Sequence, residues 1–191
     1  FAYGKPGEHK WIMVDIGVTF ADDSLPGIDL IYPDPVFIID KKDDLLGIVL
    51  THAHEDHIGA VAHIWPELKC KLYATPFTAA LITEKFKEKK IDITSYLKIV
   101  PLNGKIVLGD FEIDFVTLTH SILEPNGLSI KTPLGTILHT GDWKIDPNPL
   151  IGNKIDEEKL KKIGDDGVSA MICDSTNIFN PGREGSESDV R

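Results

Sequence analysis

The run His52-Ala53-His54-Glu55-Asp56-His57 places three imidazoles and the Asp56 carboxylate within six residues, directly after the apolar stretch Gly47-Ile48-Val49-Leu50. Imidazole nitrogen and carboxylate oxygen are ligands for zinc and other divalent transition ions. A buried strand would deliver this loop to one end of a sheet. His52 and His54, two residues apart, can then grip one ion while Asp56 and His57 face a second. A solvated polar loop is the plain alternative, and it leaves three imidazoles at these spacings unexplained.

Two further candidates stand where strands should end. His120 closes the Phe111 to Leu118 run, and Asp142 follows the next hairpin in Thr140-Gly141-Asp142. If the sheet brings these ends beside the His52 loop, His52, His54 and His120 hold one ion. Asp56, His57 and Asp142 hold the other, with Asp142 able to bridge. The donor types put zinc first, with manganese as the alternative, and they also admit iron. Two ions about 3.5–4 Å apart can share a hydroxide that is nucleophilic near neutral pH and can clamp a developing oxyanion. That is hydrolysis of an ester, amide or phosphodiester. Alone, His120 would read as a strand-end histidine and Asp142 as a turn carboxylate; the first motif makes both ligands. Asp15, at a strand end before Gly17, can orient a ligand imidazole or simply serve a turn. His139 is expected to point elsewhere, and His9 and His63 read as structural or surface.

The elements that must position these residues follow from periodicity. Trp11 to Asp15, Val36 to Asp40 and Gly47 to Thr51 read as strands, with a long loop over Phe20 to Pro35. Ile58 to Trp65 fits a helix halted by Pro66. A short strand, Lys71 to Ala74, precedes Thr75-Pro76, which opens a helix to about Lys90. Short apolar runs follow at Lys98–Val100, Lys105–Leu108, Phe111–Leu118, Leu128–Thr132 and Thr136–Thr140, separated by Gly and Pro. Glu157 to Ile163 reads as a helix and Val168 to Cys173 as a final buried strand. The tail Asn180 to Arg191 has no apolar period and reads as a linker. Strand-rich segments flanked by helices predict an α/β fold of stacked sheets with helices outside, an αββα sandwich.

At 191 residues the chain can bury one good core. Its net charge of −10 argues against a basic-groove nucleic-acid binder. It does not exclude a nuclease, because bound divalent cations supply local positive charge. Cys70 and Cys173 stand in no metal or redox spacing and read as buried thiols in a reducing cytosol. No window is apolar for long enough to span a membrane. No signal peptide is visible, and with Phe1 first the natural start is expected to lie upstream.

These residues resemble the metallo-β-lactamase superfamily, and longer strings are similar to the RNase J family. They are Lys10 to Phe20, Leu50 to Ala60, Thr119-His120-Ser121-Ile122, Thr140-Gly141-Asp142-Trp143-Lys144, Asp174-Ser175-Thr176-Asn177 and the ending Pro181-Gly182-Arg183-x-Gly185-Ser186-Glu187. The resemblance covers nearly the whole chain. It departs at Ile122-Leu123-Glu124-Pro125-Asn126, where many members read Ile-Pro-Asp-Ser. It implies a cytoplasmic bacterial ribonuclease, acting as a 5′-to-3′ exonuclease and endonuclease on RNA in processing and decay. It also implies a homo-oligomer in the full-length protein and no membrane partner. The family carries a β-CASP insertion after Asp-Ser-Thr-Asn. The expectation is therefore a partial metallo-β-lactamase domain over 1–178 and a linker, 179–191, leading into a missing β-CASP domain. The return segment and its last metal-binding histidine would be missing too, which would compromise activity in isolation.

On this reading Asp56 is the catalytic residue as well as a ligand, positioning the hydroxide for in-line attack on an RNA phosphodiester. Lys144 either touches phosphate or is an ordinary solvated lysine. The alternative is a small-molecule hydrolase of the same superfamily acting on thioesters, lactones or β-lactams. It would keep the first motif without Thr-Gly-Asp-Trp-Lys and Asp-Ser-Thr-Asn. A non-enzymatic subunit of an RNA-degrading complex would be expected to lose ligands, and all six stand here.

Overall fold

The computed structural model of the protein describes residues 1–182 and 185–190. Arg183, Glu184 and Arg191 lie outside the described residues, and with them part of the Pro181–Glu187 string and of the expected 179–191 linker. The chain divides into two compact units, Phe1–Ile99 and Val100–Arg191.

In the first unit, strands β1 (Ala2–Tyr3), β2 (Lys10–Val14), β5 (Leu45–Val49), β6 (Leu72–Ala74) and β7 (Leu97–Ile99) form one sheet in the order β1-β2-β5-β6-β7. A short hairpin, β3 (Thr19–Phe20) with β4 (Leu30–Ile31), stands apart. β1 is antiparallel to β2, and the remaining pairs are parallel. Parallel pairing requires crossovers, and helices α1 (Val36–Ile39), α2 (Glu55–Ile58), α3 (Val61–Leu68) and α4 (Pro76–Glu88) lie in them. β5 is apolar along its length, as a strand covered on both faces must be, and Ile48 and Val49 are fully buried. Trp65 of α3 meets Phe86 of α4 edge-on, with ring centroids 5.3 Å apart.

Three local expectations fail here. Val36 to Asp40, read as a strand, holds α1: the Asp34 carboxylate accepts the Val36 N–H at 3.0 Å and opens a helical turn. Pro66 does not halt α3 but lies inside it, and the helix ends two residues later at Leu68, capped by Lys69, whose φ is +47°. A short apolar run is ambiguous between strand and helix, and the burial of Val61, Ile64, Trp65 and Leu68 outweighs the one hydrogen bond that proline removes. The expected loop over Phe20 to Pro35 contains the β3–β4 hairpin.

In the second unit, β8 (Lys105–Leu108), β9 (Phe111–Thr117), β10 (Asn126–Thr132), β11 (Gly135–His139) and β12 (Ala170–Ile172) form a sheet in the order β12-β11-β10-β9-β8. All its pairs are antiparallel except β11 with β12. Alternation sets its faces: Phe111, Ile113 and Phe115 are buried while Glu112 and Asp114 are half-exposed on the other face. Ile113 pairs with Ile130 and Phe115 with Leu128. Helix α5 (Glu157–Asp166) begins where the Asp156 side chain accepts the Lys159 N–H at 2.9 Å. β12 corrects a prediction. Expected as a buried strand, it is an exposed edge strand paired on one side, and Cys173 beyond it is exposed rather than buried. Among the described residues no helix is long and apolar enough to cross a membrane.

Candidate metal centre

β2 and β5 run parallel, with Val14 opposite Val49, so the residues that follow both strands emerge side by side. That juxtaposition brings Asp15 to the loop Thr51–His57. The Asp15 carboxylate, with φ +57° at its own backbone, receives three donors. Its Oδ1 accepts the Thr51 N–H at 2.8 Å, and its Oδ2 accepts the Thr51 hydroxyl at 2.6 Å and lies 2.7 Å from His57 Nδ1. A carboxylate only accepts, so His57 carries its proton on Nδ1 and turns Nε2 toward the site.

The loop is gripped from the other side by Ile16–Val18. Ile16 N–H donates to the His57 carbonyl at 2.7 Å, Val18 N–H to the Glu55 carbonyl at 3.0 Å, and Ala60 N–H to the Ile16 carbonyl at 3.0 Å. Glu55 is further tied to Lys85 at 2.5 Å.

Within this unit the imidazoles gather. His52 Nε2 and His54 Nδ1 are 3.2 Å apart, and the rings of His52 and His57 lie 4.0 Å apart. Two nitrogens each about 2.0–2.1 Å from one tetrahedral ion would be separated by about 3.3 Å. The His52–His54 spacing therefore fits a shared divalent ion. Asp56 Oδ2 lies 3.8 Å from His57 Nε2, and its side chain is 64% exposed. His52 itself is fully buried. His63 lies against Tyr32, ring centroids 5.5 Å apart; burial first, then Lys89 and Lys85, hold its pKa down.

The second unit brings His120 and Asp142 together, Nε2 to Oδ2 at 3.7 Å. Thr119 and Lys144 form an isolated antiparallel bridge, with Lys144 N–H donating to the Thr119 carbonyl at 2.9 Å. That bridge closes the loop on which both donors stand. Gly141, at φ +58°, allows the turn, and its N–H donates to His139 Nδ1 at 3.1 Å. His139 thus braces the loop. A cavity of about 410 Å³ opens beside the pair, lined among others by Trp143, Lys144, Asp174 and Thr176. Burial raises the Asp174 pKa, but hydrogen bonds from Thr176 and the Trp143 backbone, with the nearby His120, bring it below its ordinary value.

Two residues were not singled out in the sequence. Thr51 is one; a buried hydroxyl ending an apolar strand was its only signal. The other is Asp146, 1% exposed. Its carboxylate accepts the Glu187 N–H at 2.8 Å, the Ser186 hydroxyl at 2.7 Å and the Asn148 N–H at 2.9 Å. Those bonds, Glu187 first, with Lys144 nearby, hold its pKa at about 2. Lys144 is not the solvated lysine expected: its Nζ lies 3.3 Å from Glu187 and 3.6 Å from Asp146. The segment 186–187 is therefore anchored, where a linker was expected.

The chain is similar to known proteins. The model of the metallo-beta-lactamase superfamily matches residues 5–160. Ribonuclease J of Sinorhizobium meliloti is 45% identical over 192 aligned positions, covering 100% of this chain and 34% of that protein. Ribonuclease J of Helicobacter pylori is 41% identical over 180 positions, covering 94% of this chain and 26% of that protein. Ribonuclease J 1 of Streptococcus pyogenes is 36% identical, covering 98% and 33%. The chain thus spans about a third or less of the length of these curated relatives. A crystal structure of a protein of unknown function from Enterococcus faecalis shares the fold, with TM-score 0.58, 19% identity, and 94% of this chain and 47% of that one covered. With a donor set suited to divalent ions at the ends of its strands, the chain belongs to the metallo-beta-lactamase superfamily.

Proposed function

We propose that this chain is the metal-binding part of a ribonuclease that hydrolyses RNA phosphodiester bonds, as a 5′-to-3′ exonuclease and as an endonuclease. The observation that carries the reading is 45% identity across the whole chain to a protein named Ribonuclease J. Residues 1–178 form the metallo-β-lactamase domain. All six residues, His52, His54, Asp56, His57, His120 and Asp142, are ligands of one di-metal centre, with zinc as the ion and manganese as the alternative. The intact protein is a cytoplasmic homo-oligomer.

When bound, two such ions supply a nucleophile from water at neutral pH and positive charge beside the phosphate. The chain's own residues do the rest. Asp15 and Thr51 keep protons on the outer ring nitrogens of His57 and His52, so both imidazoles offer lone pairs inward. Asp56, the most exposed of the donors in its loop, fixes the approach of the attacking oxygen in line with phosphorus. That oxygen bonds to phosphorus as the bond to the departing ribose oxygen breaks, and the ribose oxygen takes a proton from solvent. Lys144, held by two carboxylates, stays out of the chemistry.

The test is RNA cleavage by a protein with Asp56→Ala and His57→Ala together. Loss of hydrolysis with an unchanged circular dichroism spectrum is expected; retained hydrolysis would contradict the di-metal reading.

A further inference from the structure

Thr51 stands between two histidines that the proposed centre assigns to different ions. Its hydroxyl has one proton, given to Asp15 Oδ2 at 2.6 Å. The same oxygen lies 3.0 Å from His52 Nδ1, so it accepts from the His52 N–H, which leaves His52 Nε2 for the ion. Asp15 Oδ2 in turn lies 2.7 Å from His57 Nδ1. One unbroken chain, His52–Thr51–Asp15–His57, therefore fixes the tautomers of both rings. Thr51 is fully buried, and it grips Asp15 through its backbone N–H as well, at 2.8 Å. Water has no ready access to replace the hydroxyl.

We propose that Thr51 is the positioning residue that couples the two metal positions, its hydroxyl orienting His52 for one ion and, through Asp15, His57 for the other. The inference rests on the di-metal reading. The two ions should then bind interdependently, because losing one hydroxyl loosens a ligand of each.

Zinc affinity is measured by competition with a chromophoric chelator, for the wild type, Thr51→Val and Thr51→Ser, alongside the cobalt(II) absorption spectrum. Valine keeps the shape and removes the hydroxyl. It is expected to weaken both ions by about 10-fold or more and to alter the cobalt spectrum. Serine, which restores the hydroxyl, is expected to restore both readouts. Should the valine variant fail to fold, Thr51→Ala against Thr51→Ser decides the matter on the same readouts. Weakening of one ion alone, no weakening, or serine as impaired as valine or alanine would overturn the proposal. A wild type that binds no second ion would overturn the di-metal reading itself, a result distinct from any of these.

Discussion

Gly17 lies directly against Asp56: a Cβ on Gly17 would sit 1.6 Å from the Asp56 carbonyl oxygen. The approach is that close because Ile16 and Val18, on either side, both hydrogen-bond to the loop carrying Asp56. The obstacle is backbone, which cannot swing aside as a side chain would. The glycine is there to let the segment after β2 lie on the loop Thr51–His57.

Gly17→Ala should accordingly push the loop away and destabilise the fold by about 3 kcal/mol, the upper end for overpacking. Zinc affinity should fall with it. Chemical denaturation and chelator competition on the purified variant check this. An alanine protein with unchanged denaturation midpoint would contradict the packing described.

Asp15→Asn isolates the carboxylate from the backbone, since asparagine also tolerates the positive φ found at this position. The amide has one acceptor oxygen where the carboxylate served three donors. Metal affinity should drop about 10- to 100-fold with secondary structure preserved. Isothermal titration with zinc reads the outcome, and unaltered affinity would remove Asp15 from any role in orienting His57.

Asp146 makes stability depend on pH in a defined direction. Its folded pKa, about 2, is below the ordinary value of 3.8. Its contribution is therefore complete above that ordinary value and disappears as pH falls toward 2. Asp146→Asn should be clearly less stable than wild type at pH 6, and the gap should shrink as pH approaches 2. Urea midpoints across that range test it; a gap that widens on acidification would contradict the assignment.

The two thiols should differ sharply. Burial pushes Cys70 up to about 12, whereas Cys173 is exposed. At pH 8 an aromatic disulfide reagent should titrate one thiol quickly, and Cys173→Ser should remove that fast phase. Fast reaction of both would show that Cys70 is less protected than described.

The candidate donors were legible because their signal is local. His52 to His57 declare a metal loop by side-chain chemistry, and the apolar run before them declares the strand that carries it. What escaped depended on distant partners. Thr51 and Asp15 meet only through the parallel pairing of β2 with β5, 36 residues apart in sequence. Asp146 finds Ser186 and Glu187 about 40 residues away, in a tail whose lack of apolar period said nothing of polar anchoring. Periodicity also misjudged Val36–Ile39 and β12, where four or fewer apolar residues fit several structures and the number of neighbouring strands decides exposure.

The most direct measurement is cleavage of a 5′-monophosphorylated, 3′-labelled RNA by the intact protein that carries this chain, with zinc or manganese supplied. Stepwise loss of nucleotides from the 5′ end, abolished by Asp56→Ala with His57→Ala, is the result expected. No cleavage with either metal, while two ions are bound per chain, would contradict the ribonuclease reading and point to a small-molecule substrate instead.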